Sequence, residues 1–124
     1  MKRYIFSIDP VIAPTMVSSD KYKKRPQVLR YFAFKDHLLL LAKVKGLHVL
    51  PGCIHELRFC VQMPKSWSIK KKDRMRDTPH AQVPDIDNFL RATMNTFGED
   101  SHIHTIRNLS KVWSDSGSII IEVE

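Results

Sequence analysis

The sequence predicts an α+β domain spanning residues 1–124, with two helices packed on one face of a small sheet in the order β-α-β-α-β-β. Three observations carry that prediction. Two segments, Val28 to about Val44 and Ile86 to Phe97, repeat apolar residues at helical spacing. Other runs are rich in strand formers and end at turn residues. A hydrophobic content of 43% over 124 residues is enough for one modest core.

Arg3-Tyr4-Ile5-Phe6-Ser7-Ile8 reads as the first strand, closed by Asp9-Pro10. Pro10, Pro14 and Pro26 make the next stretch a loop, and it carries a basic cluster of Lys21, Lys23, Lys24 and Arg25 with Tyr22 interleaved. That cluster is either a solvated loop or a phosphate contact. In the first helix Tyr31, Phe34, Leu38 and Leu41 form one stripe, widened by Phe32 and Leu39, and Gly46 ends it. The run Leu38 to Leu41 is apolar on more sides than one sheet face covers, so it serves the core or a subunit interface.

Cys53 to Met63 reads as a long second strand. Its two cysteines, Cys53 and Cys60, would then lie on opposite faces and about 23 Å apart at strand rise. A disulfide needs Cα atoms within about 7 Å, so both should be reduced thiols, as in a reducing compartment. His102 to Trp113 reads as a third strand, Asp115-Ser116-Gly117 as a turn, and Ser118 to Glu124 as a strand completing a hairpin, with Ile119, Ile121 and Val123 on one face. His102 and His104 would share a face of that third strand, as surface residues or, less simply, as zinc ligands.

The chain carries a formal charge of +7, which implies an anionic partner without naming it. No apolar run is long enough to span a membrane, and the Met-Lys-Arg start leads into a short apolar stretch containing Asp9, unlike a signal peptide. The expectation is a cytoplasmic protein. The charge is unevenly placed. The densest basic stretch, Ile69-Lys70-Lys71-Lys72-Asp73-Arg74-Met75-Arg76, is expected to be mobile or solvated and able to order on DNA, and it precedes the one place where carboxylates gather. Upstream of it, Trp67 is a packing anchor or a base-stacking platform.

That place is Pro84-Asp85-Ile86-Asp87-Asn88-Phe89-Leu90-Arg91, followed by Glu99-Asp100. Inside a helix, residues two apart point to different faces, so Asp85 and Asp87 converge only if Asp85 precedes the helix and Asp87 lies in its first turn. Pro84 and the N-cap preference of Asp favour that arrangement. The buried stripe would be Ile86, Phe89 or Leu90, Thr93 and Phe97, with Asp87, Arg91 and Asn95 on another face and Gly98 as the stop. Asp-x-Asp at a helix start is also a common capping arrangement. Gathered carboxylates repel unless a cation or a proton intervenes, and a hard divalent ion such as Mg²⁺ with oxygen ligands meets that need.

The string MPKSWSIKKKDRMRDTPHAQVPDIDNFLRATMNTF, followed by EDSHI, resembles the RusA family of Holliday junction resolvases, closely in the second half of the chain and only in element order in the first. The resemblance implies a small homodimeric, Mg²⁺-dependent endonuclease that cuts four-way DNA junctions in recombination and repair, often carried by phages and prophages. It makes Asp85, Asp87 and Asp100 the metal ligands, and these with Arg91 the catalytic set; no organic cofactor is implied. The family usually has Lys where this chain has Arg91 and commonly Asp where it has Asn95, and the connection to Glu99-Asp100 is short for the family. Arg keeps the positive charge but not the capacity to transfer a proton.

In this reading water attacks the phosphodiester in line, and the ion and Arg91 stabilise the accumulating charge. Lys65, Lys70, Lys71, Lys72, Arg74 and Arg76 hold the DNA backbone without reading its sequence. The alternatives are a non-catalytic branched-DNA-binding protein on the resolvase scaffold, and a basic ribosome-associated or structural protein.

Overall fold

The computed structural model describes residues 1–14 and 25–124. Strands β1 (Lys2–Phe6), β2 (Cys53–Gln62), β3 (Thr105–Ser114) and β4 (Ser118–Val123) form one mixed sheet. Helices α1 (Pro26–Val44), α2 (Ile69–Met75) and α3 (Ile86–Thr96) lie between the strands in the chain. The expected order of strands and long helices is present, with α2 as an addition. Lys21, Tyr22, Lys23 and Lys24 of the expected basic cluster lie outside the described residues.

The sheet order is β1-β4-β2-β3. The expected hairpin of β3 with β4 is therefore absent. Instead β4 runs antiparallel to β1 on one side and β2 on the other, with Ile121 opposite both Tyr4 and Leu57. Burial explains the choice. Ile119, Ile121 and Val123 are at most 5% exposed and Ile120, on the other face, only 9%. A strand covered on both faces belongs at the centre of a sheet, not at an edge. The outer position falls to β3, whose Arg107, Asn108 and Leu109 are exposed. It pairs with β2 in parallel, from Cys53 opposite Thr105 to Gln62 opposite Ser114. A parallel pair needs a crossover, and α2 and α3 supply it.

Pro26 stands in the first turn of α1, where its missing N–H costs nothing. The helix ends as Gly46 adopts φ 84°, with Gly46 N–H donating to Lys43 O and Leu47 N–H to Ala42 O. This double bond pattern needs a left-handed residue that glycine supplies without strain. Val28, Tyr31, Phe34, Leu38 and Ala42 are buried. Of the leucine run, Leu38 is core, Leu39 and Leu41 are half-buried, and Leu40 is 61% exposed. The core joins Phe34 and Leu38 to Phe6, Ile54, Leu57 and Phe59 of the sheet and to Phe89 and Ala92 of α3.

The basic run, expected to be mobile or solvated, forms a short helix. Ser68 caps α2 by accepting from the Lys71 N–H (3.1 Å), and Arg76 anchors its end through two bonds to Asp115 (2.8 and 2.9 Å) and one to Asp73 (3.0 Å). No residue of α2 is buried, so the solvated character was rightly read. Both cysteines lie on β2 and are free thiols, as expected. Among the described residues no helix is long and apolar enough to cross a membrane.

If β4 is central, Ile120→Ala and Ile121→Ala should each cost about 2–4 kcal/mol in denaturant-induced unfolding. Ile5→Ala on β1, half exposed, should cost about 1 kcal/mol or less. Costs below about 1 kcal/mol at both 120 and 121 would contradict the assigned sheet order.

Candidate metal centre and nucleic-acid interface

The site begins on β3, which templates the segment leading into α3. Asp77 N–H donates to Trp113 O (2.9 Å), Trp113 N–H to Thr78 O (3.0 Å) and His80 N–H to Lys111 O (2.9 Å), and Pro79 bridges to Val112. Asp77 takes φ 65°, a left-handed conformation that Asp tolerates better than most residues. The His80 ring is buried, its centroid 4.2 Å from that of Trp113. Burial, with the nearby Lys111 charge, lowers its pKa and favours the neutral ring. Beyond His80 backbone pairing with β3 ends, and the Lys111 side chain takes over. Its Nζ donates to Gln82 O (2.5 Å) and Pro84 O (2.7 Å).

Asp85 follows as the N-cap of α3, in extended backbone (φ −67°, ψ 152°), and Asp87 lies in the first turn. This is the arrangement that lets the two acids converge. The Asp85 backbone carbonyl accepts from Asn88 N–H (3.1 Å), but its carboxylate makes no capping hydrogen bond. Both carboxylates are exposed, and neither joins an ion pair among the described residues. They sit where the helix dipole favours negative charge, which moderates their mutual repulsion. Underneath, Phe89 packs on Phe59 with ring centroids 5.5 Å apart, fixing the first turn to the sheet. Phe89 and Thr93 are buried and Ile86, Leu90 and Phe97 half-buried, as the expected stripe requires.

Asp100 is elsewhere. The 11-residue helix is about 16 Å long, and Asp100 lies beyond its C-terminal end, past Gly98 (φ 82°). There Ile103 N–H donates to Asp100 O, and the chain docks at the start of β2 through His102 Nε2 on Leu50 O (2.6 Å) and His104 N–H on Gly52 O (2.8 Å). Thus one chain carries Asp85 and Asp87 at the start of α3 and Asp100 beyond its opposite end. Among the described residues no three His, Cys, Asp or Glu side chains are grouped to hold a metal ion. His102 and His104 precede β3 instead of sharing a face of it, and they are engaged locally, His104 Nδ1 with Thr105 Oγ1 (2.8 Å). The neighbouring Glu99 is acidified by the Ser101 backbone N–H that its carboxylate accepts (2.9 Å).

Arg91 does not pair with Asp87. Its Nη2 donates to Ala13 O and Asn88 Oδ1, both at 3.1 Å, leaving the Nε and Nη1 donors for another acceptor. Asn95, one turn on, donates to Tyr31 Oη (3.0 Å) and so ties α3 to α1.

The cations of the 65–76 stretch divide into two groups. Lys65, Lys70 and Arg74 are exposed, and Lys71 and Lys72 half-buried. Lys71 Nζ stands 4.2 Å from the Trp67 ring centroid, and Trp67 packs on Trp113 at 4.8 Å, so this tryptophan is an anchor. Arg76 is engaged with Asp73 and Asp115, which raises its own pKa and lowers that of Asp115. A surface of cations is thereby docked on the same strand, β3, that positions Asp85. Sequence reasoning missed Lys111 and His80. A lone lysine in a strand and a histidine beside a proline carry no local signal of what they reach.

The arrangement can hold a hard cation with carboxylate oxygens and present it to a phosphate gripped by lysines. The pair at the start of α3 supplies two oxygen donors that fit Mg²⁺ chemistry; the third expected ligand is not beside them in the single chain. A search of curated proteins found no match. The family model for endodeoxyribonuclease RusA matches residues 29–124, from the first turn of α1 through β4, with the acidic pair and the basic helix inside the matched region. The chain belongs to the RusA family of endodeoxyribonucleases.

Proposed function

We propose that this protein is a Mg²⁺-dependent, structure-selective endonuclease that resolves four-way DNA junctions in recombination and repair, and that it acts as a homodimer. Membership of a family of junction-resolving endodeoxyribonucleases supports the reaction class. One observation carries the site: two unpaired, exposed carboxylates at the positive end of α3, whose lead-in is held by β3, the strand against which the basic segment is also anchored. A hard divalent ion held there would neutralise phosphate charge and make water a competent nucleophile near pH 7.

The chain's own residues do the rest. Asp85 and Asp87 hold the ion. Lys65, Lys70, Lys71, Lys72 and Arg74 grip the backbone of a duplex arm, a recognition of phosphate geometry instead of sequence. Arg76 contributes by holding α2 to Asp115, which fixes the reach of those lysines. The free Nε and Nη1 donors of Arg91 face charge accumulating on the phosphate. The ion's third carboxylate, Asp100, comes from the partner. In a two-fold pair with antiparallel α3 helices, the C-terminal end of one helix meets the N-terminal end of the other, completing two equivalent sites. A junction cut symmetrically in two strands needs two sites. A second reading, a branched-DNA-binding protein without activity, is favoured by the separation of Asp100 and by the two bonds that already engage Arg91 Nη2.

Asp85→Asn or Asp87→Asn should reduce junction nicking by at least on the order of 100-fold while junction binding stays equal or tightens, since less negative charge faces phosphate. Loss of binding with nicking per bound complex intact would sink the assignment. Replacing Lys70, Lys71 and Lys72 together by Ala should flatten the salt dependence of binding, by about 0.9 in log–log slope for each phosphate contact removed. An unchanged slope would take α2 out of the DNA interface. Mixing the inactive Asp87→Asn and Asp100→Asn chains tests the shared site: their heterodimer holds one intact site and should nick one strand. No recovery from subunits shown to exchange would place all three acids within one chain.

A further inference from the structure

We infer that Lys111 is a positioning residue for the metal-binding acid Asp85, acting through the backbone that carries it; this rests on the metal site proposed above. Backbone pairing ties the lead-in to β3 only as far as His80. From there to the helix, Ala81, Gln82 and Val83 are exposed, Val83 at 82%, so no buried side chain holds this stretch. The ammonium of Lys111 takes over, donating to Gln82 O at 2.5 Å and to Pro84 O at 2.7 Å. Pro84 O belongs to the peptide bond whose nitrogen is that of Asp85, so the contact fixes the plane from which the Asp85 side chain departs.

The base of Lys111 is itself immobile. Lys111 stands opposite Phe59 in the parallel pair of β2 and β3, and Phe59 is fully buried against Phe89 of α3. Lys111 therefore ties the carbonyls before α3 to the sheet, beside the Phe59–Phe89 contact that holds the helix's first turn. A ligand whose backbone is held within tenths of an ångström loses less freedom on taking a cation, and groups that orient metal ligands from behind typically govern 10–100-fold in metal affinity.

Electrostatics alone makes the opposite forecast, which gives the test its sign. A cation beside a cation site repels the ion, so deleting the Lys111 charge should tighten metal binding if charge were its main effect. If it positions Asp85, deletion should weaken binding.

The experiment measures Mn²⁺ alone by electron paramagnetic resonance on the purified full-length protein, wild type against Lys111→Met and Lys111→Arg, well below each variant's melting temperature. Lys111→Met should weaken Mn²⁺ binding about tenfold, and raise by a similar factor the Mg²⁺ concentration that half-saturates junction nicking. The rate at saturating Mg²⁺ and junction affinity without metal should stay near wild type. Lys111→Arg, which restores donors and charge, should recover most of the loss. Mn²⁺ affinity unchanged or tighter in Lys111→Met, with wild type binding normally, overturns the positioning role and leaves the metal site standing. Failure of the wild type to bind Mn²⁺ overturns both. If Lys111→Met does not fold, Lys111→Gln, a shorter neutral side chain that cannot reach both carbonyls, takes its place, with Mn²⁺ affinity unchanged or tighter again the overturning result.

Discussion

The parallel pairing of β2 with β3 is the constraint on which the rest of this molecule depends. Two parallel strands joined in one chain require a return path across the sheet, and here the return path contains the whole candidate site. The chain leaves the end of β2, builds α2, is stitched to the last residues of β3, and enters α3 at Asp85. It then runs the length of the helix to Asp100 before β3 begins. Asp85 and Asp87 consequently lie at the C-terminal ends of the parallel strands, a place where ligands commonly bind in sheets of this kind. The same path separates Asp100 from them by the length of a helix.

Charge follows from the same geometry. The overall excess of cations supplies attraction to a polyanion at long range, but it is the docking of α2 that gives the attraction a direction. Trp67 on Trp113 and Arg76 on Asp115 both fasten α2 to β3 or to the turn after it. The Arg76 pairing is solvent-exposed, so its contribution lies in orientation more than in stability. Gly117 in that turn is also constrained, because a β-carbon there would collide with the Asp9 carboxylate. The basic helix and the lead-in to Asp85 are thus both tied to one strand, β3, or to the turn that follows it.

Much of this was legible in the sequence. Helical spacing gave α1 and α3 within a few residues, and the i, i+2 geometry of Asp85 and Asp87 correctly put one at the cap and the other in the first turn. The strands were readable from composition. What could not be read was which strand lies beside which. Nearness in sequence suggested a hairpin of β3 with β4, whereas burial of Ile120 on the face opposite Ile119 and Ile121 drew β4 into the centre. The basic run read as mobile or solvated, and it is solvated; its helical form, capped by Ser68 and tied to Asp115, was not readable because Asp115 lies 39 residues from Arg76. Lys111 and His80 matter through partners about 30 residues away, and no local pattern encodes such reach.

The central claim is that this surface cuts branched DNA with the help of a divalent ion. The most direct measurement follows a synthetic four-way junction, with linear duplex of the same sequence as control, incubated with wild-type protein in Mg²⁺ and then in excess chelator. The account predicts paired nicks in the junction alone, lost on chelation. Binding of the junction without any nick at any Mg²⁺ concentration, or equal cutting of the linear duplex, would contradict it.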